Sequence, residues 1–159
     1  MKITAEPRSD QLNADELIGT TRTITIAGVR PGTAEQKYDI MLEGETRVWR
    51  PPLTVLRVLL AAWGDEASNW VGKHATLFGD PTVRFGKDQV GGIRVSHLSG
   101  IDAPLTIRPQ EARGKRITIT VEPISDRDAL RAEWATANPE RKKQIEAEVA
   151  ALSETGGAA

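Results

Sequence analysis

The chain has 159 residues, 27% of them charged and 39% apolar, a formal net charge of -1 and no cysteine. That excludes a disulfide scaffold, a thiolate nucleophile and a cysteine-ligated zinc site. The longest apolar run, Val58 to Trp63, is far short of the roughly 20 residues that cross a bilayer, and the polar start Met1 to Asp10 lacks a signal-peptide core. The expectation is a cytoplasmic protein of one domain with appendages, long enough to bury about two-thirds of its unfolded surface.

The near-neutral total hides an asymmetry. Residues 1–18 hold 2 basic and 4 acidic side chains, residues 19–123 hold 14 and 11, and residues 124–159 hold 5 and 7. The middle, at a net +3, is mildly basic and compatible with a basic groove, while the whole chain has a pI near 6.2, against the pI above about 9 usual for strong nucleic-acid domains.

Residues 1–18 read as a loose leader with a short helix, capped by Ser9 or Asp10. Residues 20–29 alternate β-branched and polar side chains, a strand with one buried face, and Gly28 predicts a bulge or bend. Arg30 to Thr33 is a turn. Residues 37–42 form a second strand and residues 46–50 a third, with Val48 on one face and Arg47 and Trp49 on the other. Pro51 and Pro52 end it. Residues 53–63 are the most helical run, with Leu53, Leu56, Leu60 and Trp63 on an apolar stripe widened by Val55, Val58 and Leu59. Gly64 breaks the helix, and Asp65 and Glu66 read as a cap for the next turn.

Strands follow at about 73–78, 82–85 and 89–96. Leu105 to Ile107 and Ile117 to Val121 are strand-like and are joined by the basic turn Arg108 to Arg116. Ser125 or Asp126 caps a helix to about Ala137, Asn138-Pro139 breaks it, and a second helix runs to about Leu152. Its Arg141, Lys142 and Lys143 face Glu140, Glu146 and Glu148 at pairing distance along the helix. Trp134 is a candidate anchor for a partner helix. The expected domains are a leader at 1–18, a β-barrel at 19–123, a helical extension at 124–153 and a disordered tail at 154–159.

The order strand, strand, strand, helix, strands matches five-stranded oligonucleotide-binding barrels, which place a helix between the third and fourth strands. The expected fold class is therefore mainly β: an OB-fold-like five-stranded barrel with one internal helix and an appended C-terminal helical segment.

A resemblance points the same way. R-V-W-R-P-P, the helix V-L-R-V-L-L-A-A-W-G, then W-V-G-K, F-G-K and G-G-I-R-V resemble a group of small phage and prophage proteins. The likeness covers about residues 17–97. It implies single-stranded DNA binding in phage-type replication or recombination, in the host cytoplasm. It carries over no catalytic residue.

Catalytic patterns are absent from the sequence. His74 and His97 have no metal-ligand spacing, and there is no Walker loop, nucleophile elbow or dinucleotide fingerprint. The expectation is a protein that is not an enzyme and needs no cofactor. Asp80 and Asp88 fall in turns, where aspartate is common for conformational reasons.

Binding chemistry is better represented. Single-strand binders combine a basic groove with aromatic platforms that stack on bases. Trp49 and Phe85, with Tyr38 behind them, are the candidate platforms, and Trp49 could equally be a core aromatic. Trp63 and Trp70 read as packing residues. The candidate nucleic-acid residues are Arg47, Trp49, Arg50, Lys73, Arg84, Phe85, Lys87, Arg94, Arg113, Lys115 and Arg116. The candidate partners are single-stranded DNA, a protein met through the C-terminal helices, and a second copy of the chain. The alternative reading is a protein-interaction module, an assembly factor or an inhibitor of a host protein, favoured by near-neutral charge and an aromatic content of 4%.

Overall fold

A computed structural model describes residues 10–32, 38–85, 88–89, 92–112 and 114–156. The first strands are β1 (Thr21–Pro31) and β2 (Tyr38–Leu42), followed by α1 (Leu53–Trp63), β3 (His74–Asp80), β4 (Arg84–Phe85), β5 (Asp88–Gln89) and β6 (Gly92–Leu98). Then come β7 (Leu105–Ile107), β8 (Gln110–Ala112), β9 (Lys115–Arg116), β10 (Ile119–Pro123), α2 (Asp126–Trp134) and α3 (Pro139–Gly156). Six strands make one sheet in the order β2-β1-β3-β6-β10-β7, and β4-β5 and β8-β9 are separate ribbons.

β1 serves two partners. Residues 21–25 pair with β3 and residues 26–31 with β2, both antiparallel. The register shifts between Ile26 and Gly28, the bulge expected at Gly28, and a bulge bends and twists the strand that carries it. Ile24 and Ile26 enter the core while Thr23 and Thr25 face outward.

The third expected strand is not formed. Residues 46–50 contribute only isolated bridges, Ile40 to Trp49 and Gln11 to Val48. Val48 and Trp49 are both buried, so the stretch does not alternate. The prolines at 51 and 52 remove two ladder donors directly after it. A closed barrel needs a full strand there. Instead β6 pairs with β10 in parallel, and the sheet stays open and mixed. Among the described residues the protein is mainly β with three α-helices, and their sheet is not a closed five-stranded barrel.

α1 lays Val55, Leu56, Val58, Leu59 and Trp63 on the sheet. Gly64, at φ +80°, ends it, and its N–H bonds the Leu60 carbonyl at 2.9 Å. Trp63 and Trp70 pack edge to face at 5.6 Å. Their indole N–H groups donate to the carbonyls of Ser99 at 2.8 Å and Gly64 at 2.9 Å, as befits buried tryptophans.

Residues 10–18, expected to be a loose leader, are anchored to the core by two leucines. Leu12 and Leu17 are buried. The Leu12 N–H bonds the Val48 carbonyl and the Val48 N–H bonds the Asp10 carbonyl, at 2.9 and 3.0 Å.

The C-terminal helices fold back. Ser125 caps α2 by accepting the Asp128 N–H at 3.1 Å. Arg141 on α3 clamps Glu133 on α2 with two bonds of 2.6 and 3.0 Å, and Ile145 is 2% exposed. α2 packs against β1. Helix α3 continues to Gly156, past the start of the tail expected at 154, and residues 157–159 lie outside the described residues.

Candidate functional site

Among the described residues, three of the basic side chains expected on the strands, Arg47, Arg50 and Arg94, are occupied by carboxylates. Arg47 donates from Nε to Glu45 at 2.9 Å and from Nη1 to Glu16. Arg50 donates from Nε to Asp39 at 2.8 Å and from its two terminal nitrogens to Asp10 at 2.9 and 3.1 Å. Arg94 donates to Asp80 at 3.0 Å, and Asp80 also accepts the Thr82 N–H and hydroxyl at 2.9 and 2.6 Å. The Arg47 guanidinium, the largest cause, pulls the Glu45 carboxyl down from 4.5 to about 2. Bonds from Arg50, above all, hold Asp39 below its ordinary value. A phosphate would have to displace these partners.

Trp49 is 1% exposed and belongs to the core cluster. Its indole N–H has no partner among the described residues. Of the two roles open to it, core aromatic is the one that the packing supports, and no base can stack on it as it lies. Lys73 is half-buried, with its stem beside Gly100. The side chains of Arg84, Phe85 and Lys115, and all of Lys87 and Arg113, lie outside the described residues.

A different aromatic reaches the outer sheet face. Along β3, Ala75, Leu77 and Gly79 are buried while His74, Thr76 and Phe78 point the other way. Phe78 is half-buried and sits in register between Thr21 of β1 and Arg94 of β6. Two residues along the same face, Thr23 and Thr76 share a 2.8 Å bond. At the far end of this face the Thr25 hydroxyl meets His74 Nδ1 at 2.8 Å. Burial lowers the His74 pKa, partly opposed by the charge of Glu133 from α2. His97 Nδ1 meets the Ser96 hydroxyl at 2.8 Å. Both histidines are thus polar strand residues with local partners.

The basic turn 108–116 has a definite form. β7 pairs with β10, the Ile117 N–H bonds the Pro109 carbonyl at 3.1 Å, and β8 pairs with β9 beyond it. These make one long hairpin, turned at Gly114 with φ +75°. Its outer part, residues 108–116, carries Arg108, Arg113, Lys115 and Arg116 against the one acid Glu111. Arg108 and Arg116 are exposed, and the Arg116 guanidinium donates to the Arg108 carbonyl at 3.1 Å.

A cleft of about 350 Å³ opens between α1 and the β1-β2 end of the sheet. Trp70 and Leu56 form its floor, and Tyr38, Leu53, Leu60 and Asp65 line its walls. Leu53 and Leu60, expected on the buried stripe, are 54% and 43% exposed. The sign available in the sequence was the width of that stripe, since a helix lying on one sheet cannot bury apolar residues all round. Glu66 occupies the cap position of the 3₁₀ turn Ala67–Asn69 but makes no side-chain cap bond. Trp134, a candidate partner anchor, instead carries Lys142 over its ring at 5.2 Å.

Comparison with known proteins returns no matching family model, no matching curated protein and no matching solved structure.

Proposed function

We propose that this chain is a non-catalytic binding protein for single-stranded nucleic acid, built on an opened version of the oligonucleotide-binding plan. The order β1, β2, the bridge at Trp49, α1, β3 and β6 follows that plan with its third strand reduced. The observation that carries the reading is the basic hairpin, with four cations against one acid at its outer end. A cationic ribbon suits a polyanion, and releasing counterions from the strand drives such binding. The stacking role passes from Trp49 to Phe78, beside Arg94 on the outer face, with Phe85 as a second platform.

The test is fluorescence anisotropy of labelled oligo-dT at two salt concentrations, with wild type and the variant R113A/K115A/R116A. Binding should weaken as salt rises, and the variant's salt slope should be shallower by roughly 0.7 for each phosphate it no longer neutralises. Phe78→Ala should cost about 1–3 kcal/mol of binding. No binding at low salt and micromolar DNA, or a triple variant with unchanged affinity and slope, rejects the proposal. The apolar cleft beside α1 favours a second reading, a protein-interaction module.

A further inference from the structure

We infer that the α1 cleft docks a short apolar segment of a protein partner that carries a lysine or arginine at one end. Exposed apolar surface is concentrated there. Among the described residues, the large hydrophobics that stand exposed are Ile18, Tyr38, Leu53, Leu60 and Val71. Tyr38, Leu53 and Leu60 line the cleft, and Val71 follows Trp70 in its floor. Isolated exposed leucines need no explanation, but a cluster around a concave site marks a contact surface.

Charge fixes the kind of occupant. α1 ends at the cleft, and a helix C-terminus is a partial negative pole that natural helices usually meet with a cation. Here the last turn of α1 holds no basic residue. Asp65, in the cleft wall, and Glu66, exposed beside it, add full negative charges. Arg57 of α1 does not line the cleft. A cation at this end of an apolar ligand would meet the helix pole and the two carboxylates. Phosphate would be repelled, so this surface is unsuited to the nucleic acid proposed for the hairpin. Helix-in-groove binding uses apolar anchors at i, i+3 or i+4, and a cleft of about 350 Å³ has room for a few such side chains.

The experiment is selection of a random peptide display library on the full-length protein, with counter-selection on L53E/L60E. Both leucines are exposed, so the variant should keep its fold, checked by circular dichroism and by unchanged oligo-dT affinity. The expected winners carry at least two large apolar residues next to a lysine or arginine. Their Kd should rise about tenfold or more on L53E/L60E, and several-fold on Asp65→Lys with a weaker salt dependence. The inference is overturned if no peptide distinguishes wild type from L53E/L60E, or if the winners show no preference for a basic residue. It is also overturned if oligo-dT displaces them, or if wild type alone self-associates through this face. Retained oligo-dT binding by L53E/L60E keeps this outcome separate from that of the nucleic-acid reading.

Discussion

Replacing Trp49 by alanine separates a core role from a stacking role. At 1% exposure the indole is fully inside. A buried tryptophan hides about 150–250 Å², which at roughly 25 cal/mol per Å² is about 4–6 kcal/mol of transfer free energy. Alanine keeps a small part of this, and the cavity left behind adds a cost, so the loss should be about 3–5 kcal/mol. That is a large share of a total stability of about 5–15 kcal/mol. For a chain of this size it lowers the melting temperature by about 6–20 °C. Trp49→Phe should cost less, because it also removes an indole N–H that has no partner among the described residues. The assay is urea denaturation followed by circular dichroism, run beside oligo-dT binding on protein confirmed as folded. The reasoning fails if Trp49→Ala is as stable as wild type while its affinity for oligo-dT collapses.

The other expectations each follow from a single local feature. A Cβ on Gly79 would lie 2.6 Å from the Ala14 carbonyl oxygen and the Ile18 nitrogen, both backbone. Gly79→Ala should therefore cost about 1–3 kcal/mol by loosening residues 10–18, and unchanged thermal melting would refute the close approach. Glu45 has a folded pKa of about 2 against an ordinary 4.5. Its contribution is fully present above pH 4.5 and disappears as pH falls towards about 2, by an amount on the order of 1–3 kcal/mol. Glu45→Gln should flatten the stability curve over that window, and a parallel curve would remove the Arg47 pair from the account. Ile145→Ala should destabilise by about 2–5 kcal/mol in one cooperative transition if α2 and α3 fold with the sheet. A separate early transition in hydrogen exchange of α3 alone would show that they do not.

The ion pairs explain why, among the described residues, Arg47, Arg50 and Arg94 do not stand open to phosphate. Arg47, Arg50 and Arg94 each meet an acid brought from elsewhere in the chain: Glu16, Asp10 and Asp80 respectively. Arg50 and Asp39, both side chains largely covered, form the centre of a network in which Arg50 also meets Asp10 and Asp39 also meets Arg30. Arg47 and Arg50 hold residues 10–16 and β2 onto the 45–50 segment, which is a structural task.

Local sequence determined the elements whose causes are local. α1 runs over Leu53–Trp63 as its stripe and the flanking Pro52 and Gly64 dictate. The Gly28 bulge, the strand at Leu105–Ile107, the Ser125 cap and the inward packing of Trp63 and Trp70 were also legible, because each depends on neighbours within a few residues or on burial alone. Tertiary structure decided the rest. Whether residues 46–50 became a barrel strand depended on what β6 would pair with, and β10, the returning arm of the long hairpin, took that edge. Whether an arginine faced solvent or an acid depended on Asp10 and Glu16, 40 and 31 residues away in sequence. The same distance effect left Leu53 and Leu60 at an open cleft: helical periodicity gives the face a residue occupies, but only the sheet beneath determines how much of that face is covered.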